Sequence, residues 1–134
     1  MNNLRISLVQ GDTRWLDPAG NRDYYGRLMA PLHGTADLVM LPETFTSGFS
    51  NEAIAQAETM DGPTVAWMRD QAARLGAAVT GSVQLRDGEE ASKVFNRLIY
   101  ATPDGAVQTY DKRHLFRYAG EHERYAPGRD RLVV

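Results

Sequence analysis

The segment DLVMLPETFTSGF, residues 37–49, indicates the fold most directly. Residues 38–42 form a continuous apolar run that ends at a proline, and this length is typical of a strand buried on both faces of a parallel sheet. A carboxylate, Glu43, follows at once. In parallel α/β sheets, functional groups collect just beyond the carboxyl ends of the strands. The segment therefore predicts an α/β fold and marks Glu43 as a candidate functional residue.

The sequence on either side of this segment alternates between strand and helix patterns. The predicted strands are residues 4–10, 37–42, 77–83 and the two arms of a hairpin within 93–112, which turns around Pro103-Asp104-Gly105. The predicted helices run from Asp17-Pro18 toward Gly34 and over residues 61–76, with a short helix near 52–57. Alternation of this kind predicts a mostly parallel sheet with right-handed crossovers, to which the hairpin adds antiparallel strands.

Residues 131–134, RLVV, have the pattern of a strand that is just beginning. No turn signal follows them, and domains seldom end in the middle of a buried strand. We therefore expect residues 1–134 to be part of a longer chain.

The composition excludes several classes of protein. Of 134 residues, 43% are hydrophobic and the formal net charge is −2, which predicts one domain, or part of one, without a basic surface for nucleic acid. The apolar runs are too short to cross a bilayer, and the N-terminus does not resemble a signal peptide. We expect a cytoplasmic protein that binds neither nucleic acid nor membranes. The chain contains no cysteine, which excludes disulfides and thiolate metal sites within it.

Two further charged residues follow the hairpin. Lys112 comes directly after the strand predicted over residues 106–111, and Glu121 lies in the loop beyond it. With Glu43 they would place one ammonium and two carboxylates near one pocket. Each residue also has an ordinary explanation on its own: Glu43 as a helix cap or loop salt bridge, Lys112 as a solvated lysine, and Glu121 as part of a solvent-exposed cluster of charged residues.

The motifs of other chemistries are missing from the sequence. His114, His122, Glu121 and Glu123 are close together but do not form an H-E-x-x-H element. We expect His114 to be a buried or hydrogen-bonded ring instead. The sequence also lacks a phosphate-binding glycine motif and a G-x-S-x-G nucleophile elbow. We predict no metal and no organic cofactor.

The segments LRISLVQ, DLVMLPETFTSGF, DGPTVAWMRDQA, AAVTGSV, VFNRLIYATPDGAVQTYDKRHLF and EHERYAPG stand in this order along the chain. Together they resemble the N-terminal half of a carbon–nitrogen hydrolase of the nitrilase superfamily, most closely the omega-amidase branch. The resemblance implies that Glu43 is a general base, that Lys112 stabilises the tetrahedral intermediate and that Glu121 orients the lysine and the substrate. Asn96 and Gly105 match structural positions in the hairpin.

The resemblance also suggests substrate contacts. Phe45 and Phe116 are expected near the pocket wall, and Arg117 is a candidate partner for a substrate carboxylate. The implied substrates are amides of the 2-oxoglutaramate and 2-oxosuccinamate type. Another branch of the superfamily (nitrilase, carbamoylase or aliphatic amidase) and a non-catalytic binding module remain alternatives.

The implied fold is half of an α-β-β-α sandwich with mixed, mostly parallel sheets, in a protein that forms dimers or larger homo-oligomers. Residues 1–134 would be the N-terminal part of a single hydrolase domain. The family uses a cysteine nucleophile, and the resemblance places it beyond Val134.

Overall fold

The computed structural model describes residues 3–87 and 92–134. The first helix, α1, spans Pro18–Met29 and begins as predicted, with Asp17 Oδ1 accepting the backbone N–H of Gly20 at 2.9 Å. It gives way to a 3₁₀ turn, Ala30–Leu32. The α-helix ends before the predicted stop at Gly34 because Pro31 cannot donate a helical hydrogen bond.

The second helix, α2, spans Pro63–Leu75 and confirms the helix predicted over residues 61–76. Its predicted apolar stripe, Val65, Met68, Ala72 and Leu75, is buried against the sheet. A 3₁₀ turn, Glu52–Gln56, occupies the position of the predicted short helix.

The five strands form one mixed sheet in the order β1-β2-β3-β4-β5. They are β1 (Ile6–Leu8), β2 (Leu38–Met40), β3 (Ala78–Arg86), β4 (Val94–Ala101) and β5 (Val107–Asp111). The pairs β1–β2 and β2–β3 are parallel, whereas β3–β4 and β4–β5 are antiparallel. The sheet is mixed, as predicted, but the longest ladder is the antiparallel one between β3 and β4.

The two N-terminal strands are shorter than their apolar patterns predict. Each parallel ladder has three residue pairs, whereas the β3–β4 ladder has eight. The chain stays extended slightly beyond β2, since Leu41 N–H donates to the Thr80 carbonyl at 2.8 Å. Pro42 then ends the pairing because it has no N–H to donate.

The strand expected to begin at residues 131–134 is not formed. A strand forms only where its backbone N–H and C=O groups pair with a neighbouring strand, and among the described residues the backbone of 131–134 pairs with none of the five strands. Leu132 and Val134 instead line a shallow apolar cavity with side chains of the sheet.

The two helices cover one face of the sheet and leave the other open. The core between helices and sheet contains Tyr25, Met29, Val39, Met68 and Ile99, all fully buried. On the opposite face, Leu8 is 74% exposed and its ladder partner Met40 is 36% exposed. Leu98, Tyr100 and Tyr110 continue this apolar surface, which we call the open face.

Among the described residues, no helix has the length and apolar character needed to cross a membrane.

Candidate active site

Glu43 is held by a tight turn at the end of β2. The next residue, Thr44, has a positive φ of 48°, which is uncommon for a residue with a β-branched side chain. Its backbone N–H donates to Ser82 Oγ at 2.9 Å, and the N–H of Phe45 donates to the Ser82 carbonyl at 3.2 Å. These contacts with β3 fix the turn that carries Glu43.

Lys112 directly follows β5, and its position is fixed by β4. Its backbone N–H donates to the Asn96 carbonyl at 2.9 Å. The preceding residue, Asp111, accepts two hydrogen bonds from Arg97, at 2.6 and 2.9 Å. This bidentate pair is largely buried and anchors the end of β5. It also raises the pKa of Arg97 through the hydrogen bonds from Arg97 to Asp111.

Glu121 opens a 3₁₀ turn, Glu121–Glu123, within the loop that follows Lys112. Its side chain is fully buried, and Oε2 accepts the backbone N–H of Phe116 at 2.6 Å. The loop closes on itself, because the N–H of Gly128 donates to the Lys112 carbonyl at 3.0 Å. A Cβ at position 128 would collide with the carbonyl of Asp111. The glycine is therefore required for this close approach.

The structure brings the three predicted charged residues together. Lys112 Nζ lies 2.7 Å from Glu43 Oε1 and 3.0 Å from Glu121 Oε2. The Nδ2 of Asn96 donates to the same Glu43 oxygen at 2.7 Å and to Glu121 Oε1 at 3.0 Å. The four side chains thus form a closed hydrogen-bonded ring.

The contacts of the ring shift the pKa values of Glu121 and Lys112. Burial raises the pKa of Glu121, but the donors Phe116 N–H, Asn96 and Lys112 outweigh it, and the pKa lies below the usual glutamate value. Burial likewise lowers the pKa of Lys112, but Glu43 and Glu121 reverse this effect and the pKa lies above its usual value. At neutral pH the lysine is therefore an ammonium facing an ionised Glu121.

A cavity of about 700 Å³ opens beside the ring. Its lining residues are Glu43, Phe49, Lys112, His114, Leu115, Phe116, Arg117 and Tyr118. Both Phe116 and Arg117 were predicted near the substrate and lie in this wall. His114 is exposed and its ring makes no hydrogen bond among the described residues, which corrects the expectation of a buried or hydrogen-bonded ring, because the chain from residue 112 runs along the surface.

The structure places Phe45 away from this cavity, contrary to the expected pocket wall. Its ring is fully buried among the helices, 5.8 Å from the Tyr25 ring and 5.7 Å from the Trp67 ring. The pairing of its N–H with the Ser82 carbonyl turns the side chain toward the helix-covered face. Gly81 makes room for it, since a Cβ there would lie 3.1 Å from Phe45 Cδ1.

Sequence reasoning missed two contributors to the site. Phe49 lines the cavity, and Lys112 Nζ lies 5.4 Å from the centre of its ring, within cation–π range. Asn96 was matched only to a structural position. Its position inside a predicted strand could have indicated a role in the site, because asparagine is disfavoured in strands unless its side chain makes specific contacts.

The arrangement suits proton transfer and charge stabilisation next to a water-accessible cavity. A carboxylate, Glu43, can exchange protons with a bound molecule, and a fixed ammonium can stabilise a developing oxyanion. Among the described residues, no group of three or more His, Cys, Asp or Glu side chains is arranged to hold a metal ion. A covalent nucleophile of the thiol type is absent from the 134 residues.

The carbon–nitrogen hydrolase family model matches residues 5–133. The chain is 40% identical, over 134 residues, to the omega-amidase YafV of Escherichia coli (strain K12), and the match covers 100% of this chain and 50% of that relative. A crystal structure of XC1258 from Xanthomonas campestris, a CN-hydrolase superfamily protein with an arsenic adduct in its active site, is 74% identical. It superposes with a TM-score of 0.96 over 100% of this chain and 49% of that one.

A more distant structure is that of a mutant of the amidase from Nesterenkonia sp. AN1, in which acrylamide has added to the active-site cysteine. It is 25% identical with a TM-score of 0.80, and the match covers 96% of this chain and 51% of the amidase. The chain thus spans about half the length of the relatives it matches. The family model nevertheless covers nearly all of it, and the chain belongs to the carbon–nitrogen hydrolase family.

Proposed function

We propose that this chain supplies three of the four catalytic groups of an amidase that hydrolyses small omega-amides of 2-oxo dicarboxylic acids, such as 2-oxoglutaramate. The observation that carries the proposal is the contact of Lys112 Nζ with Glu43 and Glu121, at 2.7 and 3.0 Å, beside an open cavity. The similarity to omega-amidases supports the choice of substrate. The fourth group would be a cysteine beyond Val134, in a single domain of which residues 1–134 are the N-terminal part.

In this mechanism Glu43 moves protons between the nucleophile and the leaving group. It accepts the thiol proton as the sulfur attacks the amide carbon, and donates that proton to the departing nitrogen, so ammonia leaves and a thioester remains. It then accepts a proton from water as the water attacks the thioester. When the tetrahedral adduct collapses, the carbon–sulfur bond breaks and Glu43 returns its proton to the sulfur, which restores the thiol and releases the acid product.

Lys112 serves the two addition steps, in which the carbonyl oxygen gains negative charge. An ammonium already fixed by neighbouring carboxylates needs no reorganisation to stabilise that charge. Glu121, fully buried, supplies the counter-charge that keeps the lysine protonated and in place. We therefore assign Glu121 to orienting Lys112.

The lining of the cavity suits a short acid with an apolar middle. Phe49 and Phe116 lie with ring centres 6.1 Å apart and offer apolar surface to methylene groups. Arg117 is in the same wall and offers a partner for the substrate carboxylate. We propose that Arg117 and the aromatic pair select the omega-amide.

The open face supports the proposal of a continuing domain. An apolar surface such as that of Leu8, Met40, Leu98 and Tyr110 is covered in stable proteins. We propose that a second sheet of the same domain packs on it to complete an α-β-β-α sandwich. The family resemblance further leads us to propose a cytoplasmic homodimer or larger homo-oligomer.

The test is a set of steady-state assays on the longer chain, meaning residues 1–134 followed by the segment with the cysteine. The substrates are 2-oxoglutaramate, a nitrile and an N-carbamoyl amino acid, and the control is the Glu43→Gln variant. We expect turnover of the oxo-amide that E43Q abolishes. Turnover of another substrate without the oxo-amide would assign the protein to a different branch. Turnover by residues 1–134 alone would rule out the cysteine mechanism.

A non-catalytic protein that binds its ligand in the cavity beside the ring is the second candidate. Calorimetric titration of the longer chain with 2-oxoglutaramate separates the two candidates. Binding without release of ammonia would favour this second role.

A further inference from the structure

Asn96 lies at the centre of the charged ring. It is 3% exposed and belongs to β4, between β3 and β5. Its side-chain nitrogen donates to both carboxylates, Glu43 Oε1 and Glu121 Oε1, while its backbone carbonyl accepts the N–H of Lys112. One residue thus touches all three proposed catalytic groups.

The charges of the ring explain why a neutral donor is needed there. Two carboxylates face one ammonium, so an excess negative charge remains close to a buried Glu121. A second cation at position 96 would balance the charge but would compete with Lys112 for the carboxylates. An amide NH₂ donates two hydrogen bonds and adds no charge. Asparagine therefore stabilises the pair of carboxylates and leaves Lys112 as the single cation of the ring.

The two carboxylate oxygens of Glu43 differ in the number of hydrogen bonds that they accept. Among the described residues, both donors to its side chain, Lys112 Nζ and Asn96 Nδ2, bind Oε1. Two donors on one oxygen restrict rotation of the carboxylate and leave Oε2 with free lone pairs. Oε2 is thus the oxygen suited to receive a proton.

We infer that Asn96 is a positioning residue for the reaction: it fixes Glu43 through Oε1 so that Oε2 carries out the proton transfer, and it holds Glu121 against Lys112. This inference rests on the proposed function. The thiol proton would pass to Oε2 and from Oε2 to the leaving nitrogen, while Oε1 keeps its two hydrogen bonds throughout.

Two variants of the longer chain test this role. Asn96→Leu keeps the branching of the side chain and removes the donor, whereas Asn96→Asp keeps the shape and donates only when protonated. The control is Thr80→Val on β3, which removes one buried hydrogen bond, from Oγ1 to the Ile99 carbonyl at 2.8 Å. That hydrogen bond does not involve the ring. Thermal denaturation reports the stability of each variant, and kcat and KM for 2-oxoglutaramate are measured from about pH 5 to about pH 8.

We expect kcat to fall by about tenfold to a hundredfold in both Asn96 variants, the effect of losing hydrogen bonds to charged groups, with KM changed by less than about threefold. The loss of kcat in N96D should become smaller as the pH falls, because the new carboxylic acid is then protonated and donates a hydrogen bond. The deficit of N96L should not depend on pH. If Asn96 were purely structural, its replacement would lower the melting temperature, as in T80V. The ratio of the variant's kcat to the wild-type kcat would then not depend on pH.

A second readout does not depend on turnover. Titration of the Glu121 carboxyl by ¹³C NMR should give a higher pKa in N96L than in wild type and no change in T80V. Wild-type kcat in N96L, or an unchanged Glu121 titration, would overturn the inference. Absence of amide turnover in the wild type would overturn the proposed function alone, and the titration would still decide the role of Asn96.

Discussion

The hydroxyl of Ser82 accepts the backbone N–H of Thr44 at 2.9 Å. This contact joins β3 to the turn in which Thr44 has a φ of 48°. A left-handed conformation costs a residue with a side chain about 1 kcal/mol or more, and it persists only when its surroundings hold it. Ser82 therefore helps to keep the turn that presents Glu43 to the cavity.

Ser82→Ala should lower the free energy of unfolding by about 1–3 kcal/mol, because the buried N–H of Thr44 loses its partner. Urea denaturation of the wild type and the variant measures this difference. The exposed Ser92 gives a matched control, since Ser92→Ala should change stability by less than about 0.5 kcal/mol. Equal stability of S82A and S92A would show that the turn holds without Ser82.

Lys112→Met should lower kcat for the oxo-amide by about a hundredfold to a thousandfold, since the developing oxyanion loses its fixed cation. The measurement is steady-state turnover by the longer chain. Arg129→Met removes an exposed cation outside the cavity lining and should leave kcat unchanged. A K112M variant as active as R129M would contradict the assigned role.

Acid should destabilise the protein through Glu121. Its pKa is lowered in the folded state, so its contribution to stability is complete above the ordinary glutamate pKa of about 4.3 and is lost as the pH falls through the lower folded-state value. Unfolding free energies measured from about pH 6 down to about pH 3 should therefore fall more steeply in the wild type than in Glu121→Gln. Parallel curves for the two proteins would disprove this contribution.

Gly81→Ala should destabilise the protein by about 1–3 kcal/mol, because the added Cβ would lie 2.8 Å from Leu41 Cβ and force the core apart. Gly26→Ala is the opposite case. Position 26 lies inside α1, and an added Cβ would contact only Trp67, at 3.8 Å. Because alanine restricts the unfolded chain more than glycine does, the change should stabilise the protein by about 0.5–1 kcal/mol. Circular dichroism during urea unfolding should show shifts of opposite sign, and a loss of stability in G26A would show that α1 does not accept a side chain at this position.

The sequence predicted most of the elements because their patterns are local. Pro63 and Gly76 bound α2, and Pro103-Asp104-Gly105 marks the β4–β5 turn. The lengths of β1 and β2 could not be predicted, since they depend on how far each strand finds a partner. The same reason explains why residues 131–134 have a strand pattern without forming a strand.

For the site, the sequence indicated the charged residues but not the walls around them. Glu43 and Lys112 follow strands, so strand order was enough to bring them to one edge. Phe49, and not the predicted Phe45, lines the cavity because of the turn at Thr44. The positive φ of Thr44 could not be predicted, since threonine seldom adopts it. Asn96 reaches both carboxylates only through the β3–β4–β5 register, which is a property of the assembled sheet.

The closure of the loop at the hydrogen bond between Gly128 N–H and the Lys112 carbonyl has an evolutionary consequence. The chain leaves the sheet after Lys112 and returns beside it at Gly128, so both ends of the intervening loop are anchored at one point of the sheet. One part of the loop carries Glu121, and another, His114 to Tyr118, forms the wall of the cavity. Side chains of that wall can therefore change in evolution while the backbone contact that anchors the loop stays the same.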